Sequence, residues 1–423
     1  MAFRKGWIWI AFLVLVWGAA VNSYAGQETG LGKIVMPTGD MAVHRPSQPM
    51  EMLSTSDVTK INENMASYAG NQKNLLKNKA KNYYYYNNLE PVAKEIYDVM
   101  YGVAADPSSL GNIGLIMTFI DPSSDEFYFA FNMAYRAICF DHPELFWLYS
   151  RQEAEMCYGS EAVSQNGFYF VYVMMDEPFK NFETQMKAFN EAADLFLRDI
   201  DTGISEYETV KQIHDKLLRM VTYDYPVADH AVLSMKGQDL AHTAYGALVK
   251  DSSGKANLAV CDGYSLAFEY LLQQCGIESV FIGGMAGPTE EEAGMHAWNM
   301  VKIDGIWYEV DSTWDDSWGD LELDLEKELQ TLTEDDVYQY LLEALQDPGY
   351  RNKLDHFLFL LSTEEMRHFI SDDTYDYISN DRTMQVNLPQ ECVHIRLVDA
   401  MDPNDPDPEI IRLAPIALQN YID

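Results

Sequence analysis

The dipeptide Asp304-Gly305 constrains this chain more than any other feature. It separates Met295–Ile303 from Ile306–Asp311, two runs rich in strand-forming residues. Asp-Gly in that setting is a strong signal for a two-residue hairpin turn. A two-residue loop makes Ile303 face Ile306, and counting outward makes Trp298 face Asp311. Directly opposed residues share a sheet face, as do alternate residues along one strand. His296, Trp298 and Asp311 are therefore expected on one face, with His296 the diagonal neighbour of Asp311. A loop one residue longer shifts the register and breaks the arrangement.

Upstream of this hairpin lies Val260-Cys261-Asp262-Gly263-Tyr264-Ser265. Apolar residues at Tyr264, Ala267, Phe268, Leu271, Leu272 and Cys275 mark one face of a helix. Gly276 is placed to stop it. Cys261 is thus expected at or just before the first turn. Unpaired backbone N–H groups and the positive end of the helix dipole favour a thiolate there, and the same N–H groups suit an oxyanion. Cys261, His296 and Asp311 together form a nucleophilic set of thiol, imidazole base and orienting carboxylate. Cys275, with no such partners, reads as a small buried hydrophobe.

The motifs resemble the core of the transglutaminase-like superfamily, papain-related cysteine enzymes, and its bacterial exported members most of all. The Cys-x-Gly-Tyr helix start is matched by Cys261, Gly263 and Tyr264. The His-Ala-Trp-Asn strand is matched by His296, Ala297, Trp298 and Asn299. The Val-Asp-x-Thr-Trp-Asp strand end is matched by Val310, Asp311, Thr313, Trp314 and Asp315. Upstream, Ile213, His214 and Asp215, then Tyr223 and Asp224, and the run His242 to Leu248 follow the same pattern. The resemblance spans about 210–368. It implies that Cys261 is the nucleophile, His296 the general base and acid, and Asp311 its orienting partner. It also makes Tyr245 the candidate oxyanion donor, with a buried core tyrosine as the alternative. His214, beside the stripe Val210, Ile213, Leu217 and Val221, reads as a packed helix histidine. His242 is suited to capping the segment that leads to the cysteine.

The fold class implied is α+β: a helix carrying the cysteine, packed on an antiparallel sheet carrying the histidine and aspartate. An amino-terminal α/β accessory region precedes it. The expected organisation is a signal peptide over 1–25, a linker or loosely ordered arm over 26–82, the accessory region over 83–200, the catalytic region over 201–385, and an acidic proline-rich tail over 386–423. Within the accessory region, Tyr83–Tyr86 is expected to pack onto the rest of that region. A helix is predicted from Leu89. Ser123-x-x-Glu126 reads as a capping box opening a helix through Ile138. Asp141–Trp147 is strand-like, Phe168–Met175 is a strand, and a helix is predicted from Phe179 to Ile200. Later, Leu321–Leu345 is acidic and mostly helical, and Asp355–Ser362 resembles the family's late strand. Asp402–Pro408 reads as an extended, solvated segment.

At 423 residues, 48% hydrophobic and 13% aromatic, the chain can build a proper core. Its formal charge of −37 opposes nucleic acid and anionic membranes as partners. The charge serves solubility, with cationic peptides or amines as the alternative reading. Arg4 and Lys5 precede the apolar run Trp7–Val16, and Ser23-Tyr24-Ala25 supplies a cleavage site after Ala25. This is the pattern of a secretory signal peptide. A secreted, periplasmic or cell-surface location is expected, with no membrane association once the peptide is removed. Of the five cysteines, Cys139 and Cys157 form a conceivable bridge, and the fully reduced state is the equal alternative. No CxxC, HExxH or zinc-type spacing occurs, so no metal and no cofactor are expected. The acidic stretch Asp315–Asp336 lacks EF-hand spacing and reads as a solvated surface.

Together these features read as an exported cysteine acyl-transfer enzyme acting on a peptide, protein or cell-wall peptide. The thioester passes to water in a peptidase or amidase, or to an amine in a transglutaminase. The alternative is a non-catalytic binding or scaffold module at the cell surface on the same fold.

Overall fold

The computed structural model describes residues 83–105, 114–149, 156–163, 168–175, 181–229, 240–250, 257–316, 355–371, 374–379, 382–387, 390–396 and 415–421. The expected signal peptide and arm, the acidic helical stretch 321–345 and the proline-rich run 402–408 lie outside them. The chain forms two compact units that divide at Ala192–Ala193.

The first unit begins with α1 (Tyr84–Asn88), in which Tyr83 and Tyr85 are buried. Helix α2 (Pro91–Ala104) follows, with Pro91 at its first position, where a missing N–H costs nothing. Strand β1 spans Gly114–Thr118 and α3 spans Asp125–Asp141. The cap of α3 is Ser124, one residue beyond the expected Ser123; its hydroxyl accepts from Phe127 N at 3.2 Å. Ser123 is taken by Asp121, whose Oδ1 accepts from its amide at 2.8 Å and its hydroxyl at 2.7 Å. The segment Asp141–Trp147 is not a strand. It is the end of α3, a turn closed by Leu145 N on His142 O, and the start of α4 (Phe146–Tyr149). Strands β2 (Met156–Val163) and β3 (Phe168–Met175) complete an antiparallel sheet of order β1-β3-β2. Helix α5 runs from Phe182 to Leu197. Cys139 is buried; the side chain of Cys157, the other half of the conceivable bridge, lies outside the described ones.

Asp141 holds the two ends of this unit's helices together. Its carboxyl accepts from the amides of Tyr85 and Tyr86 at 3.1 and 2.8 Å, and from the Tyr97 hydroxyl at 3.2 Å. Burial nevertheless pushes it up to about 7 from 3.8, outweighing the lowering by His142 and these donors. The folded unit therefore holds this proton more tightly than the unfolded chain does. The group's contribution is most favourable below about pH 4 and is lost as pH rises through about 7, a change on the order of 4 kcal/mol. We expect chemical denaturation of this unit to show falling stability between about pH 4 and pH 7, and Asp141→Asn to flatten that slope.

In the second unit, Ser205 caps α6 (Glu206–Met220), accepting from Glu208 N at 3.0 Å. Then come β4 (Val221–Tyr223), α7 (Tyr225–Asp229), a 3-10 turn at Leu240–His242 and α8 (Ala244–Leu248). Strand β5 (Asn257–Ala259) pairs in parallel with β4 and runs straight into α9 (Cys261–Gln274). Helix α9 is buried from Asp262 through Leu272. A helix apolar nearly all round belongs at the centre of a domain. Gly276 ends it at φ +79°, as its position predicts.

Strands β6 (Ser279–Gly287), β7 (Gly294–Ile303) and β8 (Ile306–Val310) form the middle of an antiparallel six-stranded sheet. Asp304 and Gly305 turn the corner with φ of 51° and 83°, the signs a type I′ turn requires. Ile303 faces Ile306, and the register runs out to Asn299 facing Val310. Short α10 (Ser312–Asp315) follows, then β9 (Phe359–Leu361), α11 (Thr363–Arg367) and β10 (His368–Ser371). Strands β11 (Thr374–Ser379) and β12 (Arg382–Asn387) pair as a separate hairpin. Strand β13 (Gln390–Arg396) lies within the residues expected to be tail, yet it pairs with β6 and β10, giving the order β10-β13-β6-β7-β8-β9.

Candidate active site

Cys261 is the first residue of α9 and half-buried, with Val260 as the extended residue before it. The helix can start here because Gly263 has no side chain. A Cβ at 263 would lie 2.2 Å from the Ala241 carbonyl oxygen and 3.0 Å from the Ala259 Cβ. That same carbonyl accepts from Val260 N at 3.0 Å, tying the helix start to the 3-10 turn. Two first-turn amides are already engaged: Gly263 N donates to Asp262 Oδ1 at 3.0 Å and Tyr264 N to Val260 O at 3.0 Å.

His296 lies on β7. One ring nitrogen, Nε2, is 2.7 Å from Asp311 Oδ2, and Cys261 is among the groups that raise the ring's affinity for a proton. The Asp311 bond leaves Nδ1 for the thiol. Burial lowers the affinity of His296 for a proton, but Asp311 and Cys261 more than reverse this and hold it at about 10. Asp311 is fully buried, and His296 keeps it well below the usual carboxylate range against the opposing effect of burial. The pair is therefore imidazolium and carboxylate at neutral pH.

The other motif residues each have a task. Asp311 caps α10, its Oδ1 accepting from Thr313 N at 3.0 Å and Trp314 N at 3.1 Å. Asn299 donates to Ser265 O at 3.0 Å, fastening the cysteine helix to the strand that carries His296. Trp298 donates to Glu309 Oε2 at 2.7 Å, and its ring lies 22° from parallel with His296 at a centroid distance of 6.1 Å. Trp314 covers the same imidazole at 5.2 Å. Tyr264 OH donates to Asp316 Oδ2.

The upstream motif meets the downstream one. His214, fully buried on α6, places Nε2 3.2 Å from Asp315 Oδ2, while Asp315 Oδ1 accepts from Leu358 N at 2.8 Å. Burial opposes protonation of His214, but the carboxylates of Asp215 and Asp315 outweigh it and raise its affinity for a proton. Asp215 also receives Lys211 Nζ at 2.9 Å and His356 Nε2 at 2.8 Å. These contacts fix α6 against the turn after Asp311, and none involves Cys261.

His242 Nδ1 is 2.8 Å from Asp262 Oδ2 and 2.9 Å from Oδ1, so it braces the residue next to Cys261. Tyr245 stands half-buried on α8, and burial raises its phenol. The structure thus joins His296 and Asp311 directly, and sets Tyr245 on a helix packed against α9, the helix that Cys261 opens. One contact escapes the sequence reading. His394 of β13 places Nε2 2.9 Å from the Asp311 Oδ2 that holds His296. The available signal was the strand-like run Val393-His394-Ile395.

A helix-borne cysteine set against a histidine–aspartate pair on an antiparallel sheet defines the class of domain. Residues 196–312 match the family model of the transglutaminase-like superfamily, and the chain carries a transglutaminase-like domain there. Over 61 residues it is 36% identical to kyphoscoliosis peptidase of Mus musculus and 34% to that of Homo sapiens. That stretch is 13% of this chain and 9% of each of those proteins. Among solved structures, a TGase aligns over 38% of this chain and 51% of its own, at 16% identity and a TM-score of 0.25. A provisionally assigned cysteine protease from Cytophaga hutchinsonii aligns over 38% and 65%, at 15% identity and a TM-score of 0.21.

Proposed function

We propose that this protein is an exported cysteine acyl-transfer enzyme with Cys261 as nucleophile, His296 as base and acid, and Asp311 as orienting group. One observation carries the reading: His296, bonded to Asp311 at 2.7 Å, has its proton affinity raised by Asp311 and also by Cys261 at the start of α9. A cationic imidazole beside a thiol at a helix start is the setting that activates a cysteine. With its proton held on His296, Sγ attacks the carbonyl carbon of a peptide or carboxamide. The amide C–N bond breaks as the imidazolium passes its proton to the leaving amine. Water or an amine then adds to the thioester, its proton passes to His296, and the C–S bond breaks to release the acyl group and free Sγ. With the Gly263 and Tyr264 amides engaged inside the turn, we assign the Cys261 amide to the oxyanion and Tyr245 as the candidate second donor.

Hydrolysis of a peptide, protein or cell-wall peptide is the preferred outcome, and the shared stretch with kyphoscoliosis peptidase leans the same way. The amino-terminal pattern around Arg4, Lys5 and Ala25 supports export. The deciding experiment incubates the full chain with a broad peptide mixture, with and without a primary amine, beside Cys261→Ala. Cleavage that depends on Cys261 supports a hydrolase, and amine adducts on glutamine support a transglutaminase. No Cys261-dependent change turns the assignment to a binding module.

A simpler check concerns the thiol. We expect iodoacetamide to modify Cys261 at pH 6 at least about tenfold faster than Cys275, because imidazolium lies against the first and burial pushes the second thiol up. Equal rates, read by peptide mass mapping, count against an activated cysteine.

A further inference from the structure

We propose that His394 is a positioning residue of this site, donating from β13 to the same Asp311 oxygen that holds His296. The proposal rests on the reading of Cys261 and His296 as a catalytic pair, and it starts from the sheet register. Strand β6 lies between β13 and β7. On it Gly284 pairs with His296 on one side and Arg396 on the other, while Ala286 pairs with His394. Paired residues share a face, and alternate residues do too. His296 and His394 therefore rise from the same face, two strands apart, with only Gly284 and Ala286 between them. The middle strand has no room for more at 284, because a Cβ there would lie 2.3 Å from the Trp298 ring and 2.5 Å from Ile395 O. Two small residues let two imidazoles converge over β6 on one carboxylate from the far side of β7.

The carboxylate is then saturated. Oδ1 accepts from Thr313 N and Trp314 N, and Oδ2 receives His296 Nε2 at 2.7 Å and His394 Nε2 at 2.9 Å. An ionised oxygen can only accept, so Nε2 of His394 carries the proton. Burial lowers the proton affinity of His394, and nearby His296 adds to this, leaving it a neutral donor. The groups around it are Asp311 and His296, the Cys392 thiol 4.0 Å from Nδ1, the Met366 backbone, and the rings of Trp298 and Trp314. Glu309 and Arg396 lie in the same layer and compensate each other at 3.9 Å. A neutral donor on Oδ2 does two things. It fixes the oxygen that aims His296, and it draws off part of the charge that binds the imidazolium proton. Outer hydrogen-bond partners of this kind are worth about 10–100-fold in activity at metal sites.

The test compares wild type, His394→Leu and His394→Gln, the last retaining an N–H donor. Two readouts are taken: the pH profile of Cys261 alkylation by iodoacetamide, and kcat and KM on a cleaved peptide. In the leucine variant His296 binds its proton more tightly. We expect kcat to fall about tenfold or more with KM little changed, and half-maximal alkylation to move to lower pH. The glutamine variant is expected to recover most of both. A wild-type Cys261 no more reactive than Cys275 overturns the catalytic reading and this inference with it. A reactive wild type whose profile and kcat are unchanged in His394→Leu, or changed equally in both variants, overturns the role of His394 alone.

Discussion

Cys261→Ala is expected to lower peptide turnover by about 10⁴-fold or more while leaving the unfolding midpoint nearly unchanged. The thiol is half-buried and its truncation removes one atom, so the stability cost should stay within about 1 kcal/mol. His296→Ala and Asp311→Asn are expected to lose activity on a similar scale. The three act as one unit, so combining them should cost little more than the worst single change. Asp311→Asn also removes the charge that holds the His296 imidazolium, and its NH2 group would oppose either both histidines or the two backbone amides of Thr313 and Trp314. Steady-state kinetics on the cleaved peptide, beside thermal unfolding of each variant, checks this. A Cys261→Ala protein that retains even a hundredth of the activity would place the nucleophile elsewhere.

The second large effect is structural in origin. Gly263→Ala puts a methyl 2.2 Å from the Ala241 carbonyl oxygen, a backbone atom that also accepts from Val260 N. Neither side can yield cheaply, so the first turn of α9 must move. Overpacking of this kind costs about 1–3 kcal/mol. The same displacement moves Cys261 relative to His296, and a shift of about 1 Å at reacting atoms can cost about 100-fold in rate. Gly276→Ala, at the other end of the helix, meets nothing within 4 Å and is strained only by its φ of +79°. We therefore expect Gly263→Ala to lose both activity and stability, and Gly276→Ala to lose about 1 kcal/mol of stability with activity intact. Equal behaviour of the two would mean that the helix start is not held as described.

Part of this site is legible in the sequence, for local reasons. Asp304-Gly305 admits a two-residue turn, the turn sets Ile303 opposite Ile306, and that pairing alone carries His296 to Asp311. The start of α9 is legible from its apolar stripe and from Gly276. His394 is not, because it sits 83 residues beyond Asp311 and its strand is joined to the sheet by pairing with β6. Nothing in a run of seven residues says which strand it will join. Asp141–Trp147 misleads because Leu145, Phe146 and Trp147 form a short apolar run, which periodicity cannot assign to strand or helix. The cap of α3 shifts by one residue because Asp121 competes for Ser123. The meeting of His214 with Asp315 is hidden for the same reason as His394: both halves are visible as motifs, but only the fold brings them together.

The most direct measurement of the central claim is the mass of the acyl-enzyme. The full chain is mixed with an activated peptide ester, quenched in acid within seconds, and mapped by mass spectrometry after digestion. An acyl adduct is expected on the peptide containing Cys261, absent in Cys261→Ala and accumulating in His296→Ala only slowly. An adduct on another residue, or none on Cys261 while substrate is consumed, would contradict the assignment of Cys261 as nucleophile.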